Sequence, residues 1–217
     1  MGLAIFIKPY ALLVVPWLAW TEGTAAVAAC GGVLVAGLLL PATLYGWRGN
    51  LNELAAWFRT VTDTTAPNLL YPENISLGTL WAKWIGPSRA ASILSAASSV
   101  AVLGFPIFAV ARRRGIKEPR YLELGLLMLL IPILSPQGWD YVLLVAAPAL
   151  MCLLDRLPEM SVPWRGVTVA AIALVSFTIF DLLGRAAYTR LMDLSVVTVG
   201  TLMLLASLTH VRWRELG

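Results

Sequence analysis

Apolar residues in this chain are gathered into long blocks that short polar segments separate. Six blocks are apolar enough to cross a bilayer, and another at the start of the chain contains a lysine. Lipid offers the backbone no hydrogen-bond partner, so chain at that depth must be helical. The pattern predicts an all-α fold, a polytopic membrane helix bundle of about seven spans: Leu3–Trp20, Thr24–Tyr45, Ala90–Ala111, Tyr121–Pro136, Tyr141–Leu154, Val167–Phe180 and Leu194–Thr209.

Two neighbouring blocks are short and almost continuous. Tyr121–Pro136 and Tyr141–Leu154 both fall below the roughly 17 residues that a full span needs. Only Gln137, Gly138, Trp139 and Asp140 separate them. They are therefore predicted to form a helical hairpin whose tip lies at the membrane interface or just inside it.

The charges of the chain support a membrane location and predict its orientation. Only 13% of the 217 residues are charged, mean hydropathy is +0.79, and soluble domains carry about 25% charged residues. The net charge of +4 is a topology signal and gives no reason to expect nucleic acid as a partner. By the positive-inside rule the face with more cations is cytoplasmic. Nine cations share one predicted face: Arg112, Arg113, Arg114, Lys117, Arg120, Arg156, Arg165, Arg212 and Arg214.

This orientation makes the protein a multi-pass protein of the plasma (inner) membrane, with a cytoplasmic C-terminus and Met1 outside. No cationic leader precedes the first span. We therefore expect residues 1–217 to be a single membrane domain that is a fragment, the C-terminal part of a longer protein. Cys30 and Cys152 fall within spans and show no disulfide or metal-ligand spacing, so neither a metal nor a cofactor is predicted.

Residues 46–89 form a long loop that is predicted to be extracytoplasmic, and residues 184–193 are predicted to be a second loop on the same side. Asn50 followed by Glu53 resembles a helix N-cap with its reciprocal partner, and a second apolar periodicity ends at Gly86-Pro87. Two amphipathic helices in the plane of the interface are therefore expected, either as a lid or as a platform that shapes a cavity. The two apolar faces and the tryptophan anchors are Leu51, Leu54, Ala55 and Phe58; Leu77, Leu80, Trp81 and Trp84; and Trp47, Trp57, Trp81 and Trp84.

Polar residues at membrane depth are the candidates for function. Lys8 either snorkels to the interface or provides a cation for an anionic group such as a phosphate. Asp140 lies in the polar stretch Ser135–Tyr141, which is either a simple turn or a polar lining. Asn74-Ile75-Ser76 is a glycosylation acceptor, a helix cap or part of the same lining. No nucleophile–base pair or phosphate-binding glycine loop is present, so the residues alone do not identify an enzyme.

Three segments, in this order along the chain, resemble the C-terminal half of glycosyltransferase family 87. They are Ile7-Lys8-Pro9-Tyr10, Asn74-Ile75-Ser76-Leu77 and Leu134–Tyr141. That family includes polyprenyl-phosphate-mannose-dependent alpha-mannosyltransferases. It usually has histidine where this chain has Tyr141.

The resemblance implies a GT-C-like membrane glycosyltransferase, a mannosyl- or related hexosyltransferase of the cell envelope. Such enzymes take a sugar from a polyprenyl-phosphate donor at the extracytoplasmic face and pass it to a glycolipid or glycan acceptor. The family's catalytic acid lies in its N-terminal half, so the catalytic residue of this chain is unknown. The resemblance places Lys8 near the lipid phosphate, and the predicted substrate-binding residues are Lys8, Tyr10, Asn74, Ser76, Ser135, Gln137, Trp139 and Asp140.

Two other functions remain open at this point. A transporter or flippase for polyprenyl-linked sugars would use the same cavity, but it would need polar residues at midplane depth along several spans. Thr24–Tyr45, Ala90–Ala111 and Leu194–Thr209 contain no Asp, Glu, Lys or Arg, which favours chemistry at one face over transport. A non-catalytic membrane scaffold is the third possibility, and the sequence does not separate it from the transferase.

Overall fold

The computed structural model of the protein describes residue 5, residues 9–113 and residues 119–214, without the side chains of residues 9 and 10. The described chain is helical almost throughout, which confirms the predicted all-α class. Four short 3-10 segments, Pro9–Val14, Pro67–Leu70, Asp140–Ala146 and Leu157–Glu159, join or extend the α-helices. Ten α-helices occur in the described ranges: α1 Val15–Glu22, α2 Thr24–Leu39, α3 Ala42–Thr65, α4 Leu77–Ile85, α5 Arg89–Ala111, α6 Pro119–Leu134, α7 Ala147–Arg156, α8 Val162–Phe177, α9 Phe180–Asp193 and α10 Val196–Arg214.

Several of these helices are suited to a bilayer by length and composition. Within the described residues, Arg89–Ala111, Asp140–Glu159 and Val196–Arg214 are each long and apolar enough to cross it. Two bent pairs, α2 with α3 and α8 with α9, raise the number to five if each pair is one span. The predicted fold class, a membrane helix bundle, is confirmed. The number of full-length spans is below seven, because α6 has 16 residues and α1 only eight.

The chain divides into two compact units, residues 1–67 and residues 68–217. In the first unit, α3 turns 85° away from α2, and Gly46 has a positive φ of 67° inside α3. The predicted N-cap at Asn50 is wrong, because the helical segment after the kink at Gly46 already includes Trp47, Arg48 and Gly49. Asn50 is buried and its Nδ2 donates a 2.9 Å hydrogen bond to the carbonyl of Leu38. That bond satisfies a carbonyl in the last turn of α2, which has no partner within its own helix.

The second unit is a helix bundle built around α10. Leu204, Leu205 and Leu208 of α10 are almost fully buried, and α10 packs against α5, α6, α7 and α8. Gly200 permits the closest of these approaches, since a Cβ there would lie 2.9 Å from Cγ2 of Val175 on α8. Helices α6 and α7 also pack together, which confirms the predicted hairpin.

Side-chain contacts fix the direction of the helices in this bundle. At the start of α10, Thr198 donates to the carbonyl of Ile75, and at its end Arg212 donates to the carbonyl of Ala109. Trp84, just before α5, donates to the carbonyl of Leu194, just before α10, so α5 and α10 run the same way. We call the end with residues 72–76 and 135–140 the loop end, and the end with Arg156, Arg212 and Arg214 the arginine end.

The arginine end contains a buried ionic cluster. Glu123 of α6 is completely buried and lies 3.6 Å from Nη2 of Arg212 and 3.5 Å from Nε of Arg113. Arg165 and Arg214 contact carbonyls of the turn after α7, at Leu157 and Glu159. Cations that the sequence assigned to one face of the membrane thus lie at one end of the bundle.

One predicted loop of the second unit is a helix. Residues 184–193 belong to α9, which is kinked at Gly184 (φ 68°) and turns 100° away from α8. Tyr188 and Met192 are four residues apart, so they share one face of the helix. That face is buried in a cluster with Ile75 and Val197, and this packing stabilises the helix where composition alone indicated a loop.

Candidate functional site

Backbone hydrogen bonds join two distant segments at the loop end. Asn74 and Trp139 form an isolated antiparallel bridge. The amide of Ile75 donates to the carbonyl of Gly138 at 2.7 Å, and the amide of Asp140 donates to the carbonyl of Glu73 at 3.0 Å. We call residues 73–76 together with residues 135–140 the clamp. It brings two of the three sequence motifs into one place.

The side chain of Asn74 holds the clamp together. Asn74 is 1% exposed, and its Nδ2 donates to the carbonyls of Asn68 at 3.0 Å and Pro136 at 3.2 Å. Its Oδ1 accepts from the amide of Ser76 at 3.1 Å. Both amide hydrogens and the carbonyl oxygen are thus used within the chain. Burial also prevents glycosylation of Asn74 in the folded protein.

Ser76 begins α4 as its N-cap. The Ser76 hydroxyl accepts from the amide of Thr79 at 3.1 Å, which satisfies one of the free donors of the first helical turn. The hydroxyl of Thr79 in turn donates to the carbonyl of Leu69 at 2.7 Å. The predicted amphipathic helix ending at Gly86 is present as Leu77–Ile85. It lies against protein, because Leu77, Thr79, Leu80 and Ala82 are buried.

Gly138 lets the two segments of the clamp approach each other. A Cβ at this position would overlap the carbonyl oxygen of Pro132 and would lie 3.3 Å from the amide nitrogen of Ser76. Ser135 supports the same turn, since its buried hydroxyl accepts from the amide of Gln137 at 3.2 Å. The predicted polar, kinked tip is therefore a close-packed turn.

Three predicted site residues reach the surface of the clamp. Gln137, Trp139 and Asp140 are each partly exposed. Gln137 accepts from Nδ2 of Asn68 at 3.4 Å, and the Trp139 ring meets the Tyr71 ring edge-on at 5.9 Å. They place an amide, an indole and a carboxylate side by side on a rigid turn.

Tyr188 orients the carboxylate of Asp140. The Tyr188 hydroxyl donates to Oδ2 of Asp140 at 2.7 Å, and the amide of Tyr141 donates to Oδ1 at 2.7 Å. Each carboxylate oxygen can still accept another hydrogen bond. Sequence reasoning missed Tyr188, because it lies 48 residues away in a segment that was predicted to be a loop.

Lys83 is a second residue that the sequence did not single out. Its Nζ donates to the carbonyls of Met192 at 2.8 Å and Pro72 at 3.0 Å, which fixes the end of α9 to the clamp. Burial lowers the pKa of Lys83 to about 8, against the opposing effect of the Asp193 and Glu73 carboxylates. A cation here is also favourable for the C-terminal end of the α9 dipole.

Two predicted site residues are not placed by these contacts. Lys8 lies outside the described residues, and for Tyr10 the structure describes only the backbone, in the 3-10 segment Pro9–Val14. In the described ranges, the structure has no group of three His, Cys, Asp or Glu side chains that would hold a metal ion.

Comparison with known protein families identifies the family of this chain. The model of glycosyltransferase family 87 matches residues 1–136, well over half of the chain. The chain belongs to glycosyltransferase family 87. No curated protein and no solved structure matches it.

The family 87 match covers Lys8, Tyr10, Asn74, Ser76 and Ser135 and ends just before the tip of the clamp. Gln137, Trp139 and Asp140 lie beyond it. The clamp therefore joins a segment inside the matched region, residues 73–76, to side chains outside that region. The family 87 match indicates a glycosyltransferase, and the apolar helices indicate a membrane helix bundle.

Proposed function

We propose that this chain forms part of a membrane-embedded glycosyltransferase that takes a hexose, mannose in the first instance, from a polyprenyl-phosphate donor. The acceptor is a glycan or glycolipid, and transfer takes place at the extracytoplasmic face, with the C-terminus in the cytoplasm. The observation that carries the proposal is the clamp. In this family 87 member, the clamp presents Gln137, Trp139 and Asp140 together on a turn whose other side chains are buried and hydrogen-bonded.

The chemistry of these three side chains suits a sugar. Gln137 provides an amide that both donates and accepts, while the Asp140 carboxylate only accepts. The indole of Trp139 provides an apolar face with a polar N–H, as a sugar ring with its C–H and O–H groups requires. Asp140 is held by two donors, so it would orient a hydroxyl of the donor or acceptor.

Asn74, Ser76 and Ser135 have a different role in this proposal. They are 1–2% exposed and their side chains are engaged in the chain's own hydrogen bonds. They hold the three exposed side chains in position, and Lys8 is the proposed partner of the donor phosphate. Transfer also needs stabilisation of the leaving phosphate and a general base for the attacking hydroxyl. We assign no residue of this chain to the base.

The sidedness of the proposal has its own support. Several of the cations cluster at the arginine end, and the positive-inside rule places such an end in the cytoplasm. The clamp lies at the opposite end, about 18 Å away along α10 if the 12 residues from Thr198 to His210 each rise 1.5 Å. The clamp would then face the extracytoplasmic leaflet.

A transfer assay in membranes that contain the full gene product tests this proposal. Polyprenyl-phosphate mannose and a nucleotide-activated mannose are offered as alternative donors, and glycosylated product is measured by mass spectrometry. We expect transfer from the lipid donor alone, with loss in Lys8→Ala and in Asp140→Asn. Transfer from the nucleotide donor, or full activity in both variants, would contradict it. Donor movement across the bilayer without transfer would favour the flippase.

A further inference from the structure

A cavity of about 170 Å³ lies at the arginine end, far from the clamp. It is bounded by the turn that follows α7 and by the last turns of α10. Its lining mixes charged and apolar side chains: Arg156, Glu159, Met160, His210, Val211 and Arg214. Two guanidinium groups therefore face a space large enough for a small anionic group.

An open groove of about 300 Å³ adjoins this cavity and shares His210 with it. Its lining is mainly apolar and comes from three helices that are apolar along their length: Phe105, Trp164, Ala206, Thr209, His210 and Trp213. Thr209 adds little polarity, because its hydroxyl donates to the carbonyl of Leu205 at 2.8 Å within α10. A charged cavity and an apolar groove thus meet at one histidine.

Aromatic stacking fixes the shape of the groove. The rings of Trp164 and His210 stack at 4.3 Å with 9° between their planes. Trp213, which also lines the groove, stacks on Phe108 at 5.6 Å, and the guanidinium of Arg112 lies 5.7 Å from the Phe108 ring. The groove is therefore formed by rings that hold one another in place.

The arginines of the cavity contact a backbone carbonyl and exposed carboxylates. Arg214 donates to the backbone carbonyl of Glu159 at 2.6 Å, while Arg156 lies 3.9 Å from the carboxylates of both Glu159 and Asp155. Those carboxylates are 70% and 80% exposed, and exposed pairs of this kind contribute little. The buried Nε2 of His210 has no hydrogen-bond partner among the described residues.

We propose that the cavity and groove together bind one anionic phospholipid. Its phosphate lies between Arg156 and Arg214 within reach of His210, and one acyl chain follows the groove past Trp164 and Trp213. The groove lies on the sides of apolar helices, where a bilayer supplies acyl chains, and the arginines lie at the helix ends, where it supplies phosphates. A free phosphate has no acyl chain to fill the groove, and a zwitterionic lipid would interact less favourably with the two arginines.

Native mass spectrometry of the detergent-solubilised protein tests this directly, with dioleoyl phosphatidylglycerol and dioleoyl phosphatidylcholine as titrants. We expect tighter binding of phosphatidylglycerol. Arg156→Ala with Arg214→Ala should weaken it by about 25-fold, at roughly fivefold for each cation. Glu159→Gln should strengthen binding severalfold, because it removes a carboxylate that competes with the phosphate. General destabilisation would weaken lipid binding in all of these variants, so a loss in the arginine variant with a gain in Glu159→Gln would indicate a specific site.

Two further variants separate the headgroup from the chain. Ala206→Phe fills the groove and should weaken phosphatidylglycerol binding, with glycerol 3-phosphate unable to displace the lipid from the wild-type protein. Arg89→Ala with Arg190→Ala removes two exposed cations from the loop end and should change nothing. Equal affinity for the two lipids, an unchanged arginine double variant, or displacement by glycerol 3-phosphate would each overturn the proposal. None of these outcomes bears on the transferase reaction at the clamp.

Discussion

The hydroxyl of Tyr188 donates a 2.7 Å hydrogen bond to Oδ2 of Asp140, across 48 residues of chain. This bond connects α9 to the tip of the hairpin formed by α6 and α7. Tyr188 is itself buried beside Ile75 and Met192. The position of the Asp140 carboxylate therefore depends on a helix that lies outside the predicted site.

Removal of the Tyr188 hydroxyl should reduce transfer more than it reduces stability. Tyr188→Phe keeps the ring in its cluster but leaves Oδ2 of Asp140 without this donor, and one hydrogen bond contributes about 1 kcal/mol, or roughly fivefold. Asp140→Asn should cost more, tenfold or above, because hydrogen bonds to a charged group contribute about 1.5–3 kcal/mol. Initial rates of sugar transfer measure both effects.

Asp181→Asn is the matched control for these variants. Asp181 is an exposed acid in the first turn of the same helix, so its change should leave the rate within twofold. If Asp181→Asn and Asp140→Asn reduced transfer equally, the effect would belong to net charge and the proposed role of Asp140 would be wrong.

Gly138→Ala should open the clamp. Its Cβ would overlap the carbonyl oxygen of Pro132, and backbone cannot move aside as a flexible side chain does. We expect a loss of about 2–3 kcal/mol in the free energy of unfolding, in the range for overpacking a tight site. Gly104→Ala in α5, where a Cβ meets nothing within 4 Å, should be neutral or stabilising. Thermal unfolding in detergent compares the two.

Asn74→Asp should destabilise the protein although the two side chains have almost the same shape. Aspartate keeps the acceptor for the Ser76 amide but loses both donors, so the carbonyls of Asn68 and Pro136 would face a buried negative charge. Each buried group left without a partner costs about 1–3 kcal/mol. Chemical denaturation measures the loss, and Asn52→Asp on the exposed face of α3 is the control. Equal stability of the two variants would contradict the contacts assigned to Asn74.

Lys83 should titrate near pH 8 in the folded protein. Its pKa is lowered by burial to about 8, against about 10.4 in an unfolded chain. Between those values the folded protein has lost a proton that the unfolded chain keeps, so stability should rise with pH across this window. A neutral amine still has two hydrogens, enough for the carbonyls of Pro72 and Met192.

Competitive acetylation measures this titration at each lysine. The Lys83 peptide should show a midpoint near pH 8 in folded protein and near the ordinary value after denaturation. A folded-state midpoint above pH 10 would show that the carbonyls and the carboxylates of Asp193 and Glu73 outweigh burial.

Arg212→Met should be among the most destabilising changes in the second unit. It leaves Glu123, which is completely buried, opposite Arg113 with one fewer cation, and breaking a buried pair from one side costs about 3–5 kcal/mol. Glu123→Met in the same chain should recover a large part of that loss, because it removes the buried charge. Thermal unfolding of both single variants and the double variant tests this. If the loss in the double variant equalled the sum of the two single losses, the two side chains would not be coupled and the proposed ion pair would be wrong.

The hydrophobic pattern predicts most of the helices of this fold. Blocks such as Ala90–Ala111 coincide with α5 because they are long, apolar and bounded by polar residues. The pattern does less well at Asn50, which looks like a helix cap. The structure instead places Asn50 inside α3, buried against Leu38. Capping preferences are local, and here a contact 12 residues away decides.

The sequence singled out residues of the clamp but did not show what each side chain contacts. Asn74 and Asp140 stand out as polar residues among apolar ones, and the structure joins their segments. The sequence does not show that Asn74 points inward while Asp140 points outward, because both are single polar positions in irregular backbone. Tyr188 and Lys83 escape notice for a related reason: their partners are 48 and 109 residues away.

Thr198 of the last helix holds the carbonyl of Ile75, which lies 123 residues earlier in the chain. During synthesis, a nascent polypeptide that ends near residue 160 has made Asn74 and Asp140 but neither Tyr188 nor Thr198. Its clamp would be held only by contacts among residues 68–76 and 135–140 until the final helix enters the bilayer. Insertion of that helix is then the step that matures the site, and a premature stop codon before it would leave a membrane-inserted but unfinished protein.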